Sequence, residues 1–163
     1  MIRTAKPEDA PEIAALWNWM ISDTLLTFTT DQKSVEDIDR MIFERENGFL
    51  VSETDEIIEG FATFGAFRSG PGYARTVEHS VIVAQNHVGR GVGRALMTAL
   101  MDRARAEGVH IMVAAISSEN PHAVEFHTRL GFQEVGCMPE VGYKNDRYLD
   151  LILMQKMLSN VAS

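Results

Sequence analysis

The chain has 163 residues and a net charge of −8, because 15 Lys and Arg residues are outnumbered by 23 Asp and Glu residues. Hydrophobic residues make up 45% and charged residues 23%, which is the balance of a globular protein and excludes a disordered or low-complexity chain. The acidic balance argues against general nucleic-acid binding, since that needs a basic face to neutralise phosphates. A small anionic ligand at a local site remains possible.

Cys137 is the only cysteine, so neither an intrachain disulfide nor a cysteine-based zinc site can form. The N-terminus has no apolar signal core, and no apolar run approaches the roughly 18 residues that a membrane span needs. We therefore expect a cytoplasmic protein without a membrane segment. No repeat, linker or charge block marks a boundary, and we expect one domain over residues 1–163.

The first half of the chain contains two predicted helices and four predicted strands. Pro7 stands where the first helical turn tolerates a missing N–H, Ser34 is a predicted N-cap, and Gly48 is predicted to end the second helix. Asp55 and Glu56 mark a turn between strands. In chain order the elements are a strand at 2–5, helices at 7–20 and 35–46, and strands at 49–52, 60–67 and 73–83.

The second half alternates helices with strands. The predicted elements are a helix at 92–107, a strand at 109–116, a helix at 120–130, and strands at 132–138 and 147–157. Because this alternation is confined to the second half, we predict a mixed α/β (α+β) fold with helices on both faces of the sheet. An all-parallel doubly wound sheet does not fit this order.

Three alternating glycines join the strand at 73–83 to the following helix. Gly89, Gly91 and Gly93 allow a sharp turn and the close approach of a ligand to the backbone. The free N–H groups at the helix start form an anion site, and Arg90 and Arg94 add positive charge there. The segment predicts a phosphate or pyrophosphate ligand.

Two common phosphate motifs do not match this turn. A Walker P-loop ends in Gly-Lys-Ser/Thr, whereas this turn ends in Gly93-Arg94-Ala95. A dinucleotide fingerprint spaces its glycines by two and then three residues, whereas these are spaced by two and two. A tight glycine turn without a ligand is the remaining alternative from the residues alone.

Two segments together resemble the GNAT acetyltransferase superfamily. Residues 88–93 match its acetyl-CoA-binding motif in the glycines, with Val88 at the leading Gln/Arg position, so the phosphates would rely on backbone N–H groups and on Arg90 and Arg94. Residues 117–132 are similar to the family's Asn, Ala, Phe-Tyr and Leu-Gly-Phe segment, with His127 in place of the Tyr often used as general acid. The resemblance implies a three-layer sandwich with a mostly antiparallel mixed sheet of about seven strands.

Residues 70–83, 138–144 and 147–151 look like the phosphinothricin and methionine sulfoximine/sulfone N-acetyltransferase group. This resemblance implies direct transfer of acetyl from acetyl-CoA to the α-amine of a small amino-acid analogue, without a metal. It also implies a homodimer, since the group often forms one. Such an amine is mostly protonated at neutral pH and must lose a proton before it attacks a thioester.

The resemblance also assigns roles to individual residues. Glu78 would be the base, directly or through a water, with His127 assisting it. Arg75 would bind the substrate carboxylate, for which its planar fork is suited. The other substrate-pocket residues would be Phe28, Pro71, Gly72 and Tyr73. The cofactor-binding residues would be Val81, Ile82, Val83, Val88, Gly89, Arg90, Gly91, Val92, Gly93, Arg94, Asn120 and Arg129.

Other interpretations remain open. Without the resemblance, Glu78 is an exposed carboxylate on a strand and His127 is a helix residue bonded to a core neighbour. A peptide or protein N-terminal acetyltransferase is an alternative function, although the proposed carboxylate clamp at Arg75 does not suit an extended chain. A non-catalytic CoA-binding sensor and a dinucleotide oxidoreductase are further alternatives.

Overall fold

The computed structural model describes residues 1–159, so residues 160–163 of the expected 1–163 domain lie outside the described part. It contains four α-helices and seven strands. In chain order these are β1 (Ile2–Thr4), α1 (Ala10–Asp23), α2 (Val35–Arg45), β2 (Phe49–Thr54), β3 (Ile57–Ala66), β4 (Thr76–Val83), α3 (Val92–Ala106), β5 (Ile111–Ser117), α4 (Pro121–Arg129), β6 (Gln133–Lys144) and β7 (Arg147–Met157). Every predicted helix and strand is present, and the mixed α/β class is confirmed.

The capping prediction for α2 is confirmed at its start and wrong at its end. The Ser34 hydroxyl accepts a hydrogen bond from the Asp37 amide at 3.0 Å, and the Asp37 carboxylate accepts one from the Ser34 amide at 2.9 Å. This reciprocal pair satisfies two amides that the helix itself leaves free. The helix ends at Arg45 and not at Gly48, because Glu46 adopts a positive φ of 46° and starts a 3-10 turn.

Several other predicted boundaries are wrong. The helix predicted at 7–20 runs from Ala10 to Asp23, because Pro7–Asp9 forms a 3-10 turn, and the strand predicted at 60–67 begins at Ile57. The strand predicted at 73–83 begins at Thr76, because Pro71–Tyr73 forms a 3-10 turn behind Gly70, whose φ is 104°. The strand predicted at 132–138 continues to Lys144. It keeps pairing with β7 beyond an irregularity between Met138 and Gly142. Local turn signals do not reveal this pairing, because it depends on the partner strand.

The sheet has the order β1-β2-β3-β4-β5-β7-β6. All neighbouring strands are antiparallel except β4 and β5, which run parallel. Their pairing covers only residues 76–78 of β4 and 111–113 of β5. Beyond it, β4 stays paired with β3 as far as Val83, and β5 stays paired with β7 as far as Ser117. The two strands therefore diverge at their carboxyl ends and leave an opening in the sheet.

Helices cover both faces of the sheet, as predicted. On one face α1 and α2 pack over β2, β3 and β4 around Phe49, Phe61 and Ile82. On the other face α3 and α4 pack around Leu96, Leu100 and Met112. The three-layer sandwich implied by the sequence is therefore confirmed. None of the helices within residues 1–159 is long and apolar enough to cross a membrane.

Candidate active site

A cavity of about 580 Å³ occupies the opening between β4 and β5. Residues 79–83 of β4 form one wall and residues 114–117 of β5 form the other, while α4 and the glycine turn complete it. All the predicted cofactor residues line this cavity except Arg90, and His127 lines it as well. The cofactor residues in the lining are Val81, Ile82, Val83, Val88, Gly89, Gly91, Val92, Gly93, Arg94, Asn120 and Arg129.

The glycine turn is open toward one end of this cavity. Gly89 and Gly91 each have a φ of 82°, and a Cβ on either would point into open space. Gly91 is the N-cap of the 15-residue helix α3, so the first N–H groups of that helix have no partner within it. Gly93 differs, because it lies in the first turn of α3 under the ring of Phe126. The turn therefore offers free amides and a positive helix end to an anion.

The walls of the cavity suit an extended ligand with amide groups. Where β4 and β5 separate, their facing backbone N–H and C=O groups make no hydrogen bonds between the two strands. A ligand lying between the strands can take these bonds as an added strand does. Asn120, at the other side, accepts a bond from the Ala123 amide at 3.1 Å and so caps α4 while it lines the cavity.

Glu78 lies on the face of β4 that α2 covers. It pairs across the sheet with Gly65, and the guanidinium of Arg45 packs directly over that glycine. Glu78 is exposed, but nearby protein atoms remove part of its hydration shell, and this raises the pKa of its carboxyl group. The positive charge of Arg45 opposes that rise. The site therefore contains an accessible carboxylate with an increased affinity for protons.

His127 lies on the opposite face of β4, in contact with His79. The two side chains are buried, and their Nε2 atoms are 2.9 Å apart. The Nδ1 atom of His127 lies 2.7 Å from the Ala123 carbonyl oxygen, and that of His79 lies 3.1 Å from the Val113 carbonyl oxygen. Burial lowers the pKa of each ring, that of His79 to about 3, where the neighbouring His127 is a second cause.

Successive side chains of a strand point to opposite faces, so Glu78 and His79 lie on different sides of β4. Within the described residues, no hydrogen bond or ion pair joins Glu78 to His127. The structure thus brings His127 together with the predicted cofactor residues and leaves Glu78 on the far side of the opening. A group that passes through the opening could contact both.

The predicted substrate residues lie outside the cavity. Pro71–Tyr73 and Arg75 form an exposed segment ahead of β4, where the Arg75 carbonyl accepts hydrogen bonds from the amides of His110 and Ile111. Phe28 belongs to the connection between α1 and α2 and packs against β6. Its ring occupies the space that a side chain at Gly142 would need. Phe28 therefore closes the gap between the α1–α2 connection and β6.

Several residues of the site were missed in the sequence. His79 and Arg45 contact or flank the predicted residues, and Leu26 and Thr27 of the α1–α2 connection line the cavity. The buried Lys144 donates a hydrogen bond to the Thr27 carbonyl at 2.9 Å, and burial lowers the pKa of its amine. His79 could have been suspected, because it directly follows Glu78 on the same strand. Nothing local signals Arg45, Thr27 or Lys144, which come together only in the fold.

Three curated proteins are similar to the chain over almost its whole length. The L-amino acid N-acyltransferase MnaT of Escherichia coli is 41% identical, covering 96% of this chain and 93% of that protein. The L-methionine sulfoximine/L-methionine sulfone acetyltransferase of Salmonella typhimurium is 37% identical, covering 99% and 96%. The phosphinothricin N-acetyltransferase of Streptomyces coelicolor is 33% identical, covering 96% and 95%. These names match the group that the sequence resembles.

A solved structure gives the same result for the fold. The structure of yncA from Salmonella typhimurium, determined with its cofactor acetyl-CoA, superposes with a TM-score of 0.95 at 37% identity, covering 100% of this chain and 96% of that one. Residues 2–153 match the acetyltransferase (GNAT) domain. With the divergent β4–β5 pair, the glycine turn and these relatives in agreement, the chain belongs to the GNAT acetyltransferase domain family.

Proposed function

We propose that this protein transfers the acetyl group of acetyl-CoA to the α-amine of a small amino-acid analogue of the methionine sulfone, methionine sulfoximine or phosphinothricin type. The observation that carries the proposal is the opening between β4 and β5, which joins a glycine turn suited to phosphates to the face that holds Glu78. The names of the relatives that cover almost the whole chain support this substrate class.

Acetyl-CoA would supply the acetyl group as a thioester. The free amides at the start of α3, with Arg94 and the nearby Arg90, would bind its phosphates. The backbone of Val81, Ile82 and Val83 would hold the amide-bearing arm and orient the thioester carbonyl. Asn120 and Arg129 line the same cavity from α4 and would complete the binding surface.

Glu78 would accept the proton that the amine must lose. Its raised pKa increases its basicity, and its exposure leaves room for a substrate or for a bridging water. The amine would then attack the carbonyl directly, so that no covalent intermediate with the protein forms. The resemblance implies that His127 assists Glu78, but His127 lies on the other face of the opening, so we assign it to the leaving sulfur and not to the amine.

The substrate carboxylate would be bound by Arg75, which is exposed three residues before Glu78 on the same segment. Pro71, Gly72 and Tyr73 would line this side, and Phe28 would close the pocket beside β6. A single carboxylate clamp near the base selects a free amino acid over an extended peptide, because a peptide presents no carboxylate at that distance from its amine.

A homodimer is part of the proposal. β6 is an edge strand, and the β6–β7 hairpin exposes a group of large apolar side chains, namely Val135, Met138, Val141, Tyr143 and Tyr148. Exposed apolar surface beside an unpaired edge is typical of an association surface. In light scattering, Val141→Lys with Tyr148→Lys should give a monomer, whereas Ile57→Lys, on the exposed β2–β3 turn, should leave a dimer. A wild-type monomer would contradict this part.

We also propose that one catalytic domain spans residues 1–163 and acts in the cytoplasm. The seven strands form one continuous sheet from β1 to β6, which supports a single unit. The cytoplasm holds acetyl-CoA, which is a highly charged molecule that membranes retain.

The test of the proposed function is a thiol-release assay with acetyl-CoA and a panel of amines. Methionine sulfone, methionine sulfoximine and phosphinothricin are expected to release CoA, and the common amino acids serve as comparisons. One peptide tests the N-terminal acetyltransferase alternative. Release with the peptide alone would contradict the substrate class and the role of Arg75. Binding of acetyl-CoA without release for any amine would favour the CoA-binding sensor.

A further inference from the structure

Arg45 brings a positive charge to the side of the sheet that carries Glu78. It is the last residue of α2, and its side chain is half-buried. Its Nη1 atom donates a hydrogen bond to the hydroxyl of Thr63 at 3.1 Å. Among the described residues, no carboxylate lies within ion-pair distance of the guanidinium, so its charge has no direct counterion.

This arrangement leaves the guanidinium with unused bonding capacity. It has several N–H donors, and within residues 1–159 a single hydrogen bond to Thr63 uses them. Burial lowers the pKa of the group, and the more distant charges of Glu44 and Glu78 oppose that effect. A partly dehydrated cation without a counterion is costly unless a ligand supplies the missing acceptors. The guanidinium is therefore suited to bind a group with acceptor atoms beside Glu78.

The fold holds the guanidinium in place. A Cβ atom at Gly65 would lie 2.8 Å from its Nη2 atom and 2.9 Å from its Cζ atom, so the group fills the space that a side chain there would need. The Thr63 hydroxyl accepts the bond from Arg45 and donates its own hydrogen to the Gly48 carbonyl at 2.8 Å. Gly65 pairs with Glu78 across the sheet, and directly paired residues share one face. The donors are thus positioned near the base before a substrate binds.

The three substrates of the proposed function share one chemical feature at the end of the side chain. Methionine sulfone carries two oxygens on sulfur, methionine sulfoximine carries an oxygen and a nitrogen on sulfur, and phosphinothricin carries two oxygens on phosphorus. In each case two neighbouring acceptor atoms are bonded to one tetrahedral atom. The paired N–H groups of a guanidinium suit two such acceptors, as they suit those of a carboxylate or phosphate. Methionine offers only a thioether sulfur, which is a weak acceptor.

We propose that Arg45 binds the two acceptor atoms at the end of the substrate side chain, and that it thereby makes the protein prefer these amino acids over methionine. The inference rests on the proposed function for the substrate class and adds a residue that recognises it. Arg45 approaches Glu78 from the β3 side, whereas Arg75 precedes Glu78 along the chain. The two arginines therefore serve different groups of one substrate, the side chain for Arg45 and the carboxylate for Arg75.

Methionine sulfone and methionine have the same amine and carboxylate, so the ratio of their kcat/KM values reports on recognition of the side chain. Thiol release measures this ratio, which does not depend on the fraction of folded enzyme. In Arg45→Gln we expect the ratio to fall by about 10- to 100-fold, the factor for losing a hydrogen bond to a charged group. Arg40→Gln, on the exposed side of the same helix, should keep the wild-type ratio. An unchanged ratio in Arg45→Gln would overturn the inference.

Arg45→Lys separates recognition of the side chain from the effect of charge on the base. Lysine keeps a positive charge near Glu78 but lacks the paired N–H groups. We expect the ratio to fall by about tenfold, while the pH dependence of kcat stays as in the wild type. A wild-type ratio in Arg45→Lys would overturn recognition by the paired donors.

Binding measurements distinguish a failure of this inference from a failure of the proposed function. Calorimetry in the presence of CoA should show that the wild type binds methionine sulfone more tightly than methionine, and that Arg45→Gln binds the two equally. If the wild type releases no CoA with any amine, the proposed function fails, but a preference for the sulfone that is lost in Arg45→Gln would still support the role of Arg45. Equal binding of the sulfone by the wild type and Arg45→Gln would overturn that role.

Discussion

The ionisable side chains on the two faces of β4 lie in opposite environments. On the α2 face, Glu78 is exposed beside Arg45, and its pKa is raised by partial loss of water and held back by the guanidinium. On the α4 face, His79 and His127 are buried against each other, and their other contacts are backbone carbonyls and aromatic rings. Adjacent residues of one strand thus enter environments of different hydration and charge.

This difference shows how a divergent strand pair can separate two proton transfers. The opening begins just after the last paired residues, Glu78 of β4 and Val113 of β5. In the proposed reaction, the carboxylate takes a proton from the amine on one face, while His127 acts on the sulfur on the other face. Because the two groups do not contact each other, neither determines the protonation of the other.

The largest expected effect comes from the carboxylate. Glu78→Gln removes the proton acceptor and should lower kcat by about 10²- to 10⁴-fold, the range typical of general bases. The affinity for acetyl-CoA should stay unchanged, since the glycine turn is untouched. Thiol release and calorimetric binding measure the two quantities. Glu44→Gln, which removes an exposed carboxylate next to Arg45, is the matched control and should retain activity. Equal losses in both variants would show that net charge matters and not the base.

The next effect concerns substrate recognition. Arg75→Ala removes a charged hydrogen-bond donor, and such bonds contribute about 1.5–3 kcal/mol. We expect kcat/KM for methionine sulfone to fall by about 10- to 100-fold, mainly through KM, because each 1.4 kcal/mol is a factor of ten. Arg68→Ala, in the same exposed loop region, should have little effect. An unchanged KM in Arg75→Ala would place the carboxylate elsewhere, and Arg45 would be the first residue to examine.

Two glycines at opposite ends of α3 allow a matched test of the phosphate site. Gly91 and Gly108 have φ values of 82° and 81°, and a Cβ on either meets no other atom within 4 Å. Alanine at either position should therefore lower the unfolding free energy by about 1–2 kcal/mol, because an L side chain is strained in the left-handed backbone region. Only Gly91→Ala should also weaken acetyl-CoA binding, by about tenfold, because its methyl group enters the ligand's space. Equal acetyl-CoA affinities of the two variants would contradict the proposed phosphate site at the start of α3.

The smallest effect is a shift in pH dependence. Arg45 lowers the pKa of Glu78, against the rise caused by burial. Arg45→Gln removes this positive charge, so the pKa of Glu78 should rise further and the base should become protonated at a higher pH. The acid limb of the kcat profile should then move to higher pH. Arg40→Gln, on the exposed side of the same helix, should leave the limb in place. A shift to lower pH would contradict the arrangement.

Local sequence patterns predict much of the fold but only part of the candidate active site. Ser34 and the Asp55-Glu56 turn were predictable because capping and turn formation involve residues close in sequence. The glycine turn was predictable for the same reason. The separation of Glu78 from His127, the contact of His79 with His127 and the position of Arg45 over Gly65 depend on strand register and helix packing. Those contacts join residues far apart in the chain, and no local pattern encodes them.

In the proposed reaction, the amine is deprotonated on the Glu78 face while the CoA sulfur leaves on the His127 face. A crystal structure with CoA and N-acetylmethionine sulfone bound together tests this most directly. We predict that the CoA sulfur lies between β4 and β5 next to His127. The amide nitrogen of the N-acetylmethionine sulfone should lie within hydrogen-bond reach of Glu78, directly or through one water. An amide nitrogen on the His79–His127 side, with Glu78 facing only solvent, would contradict the account.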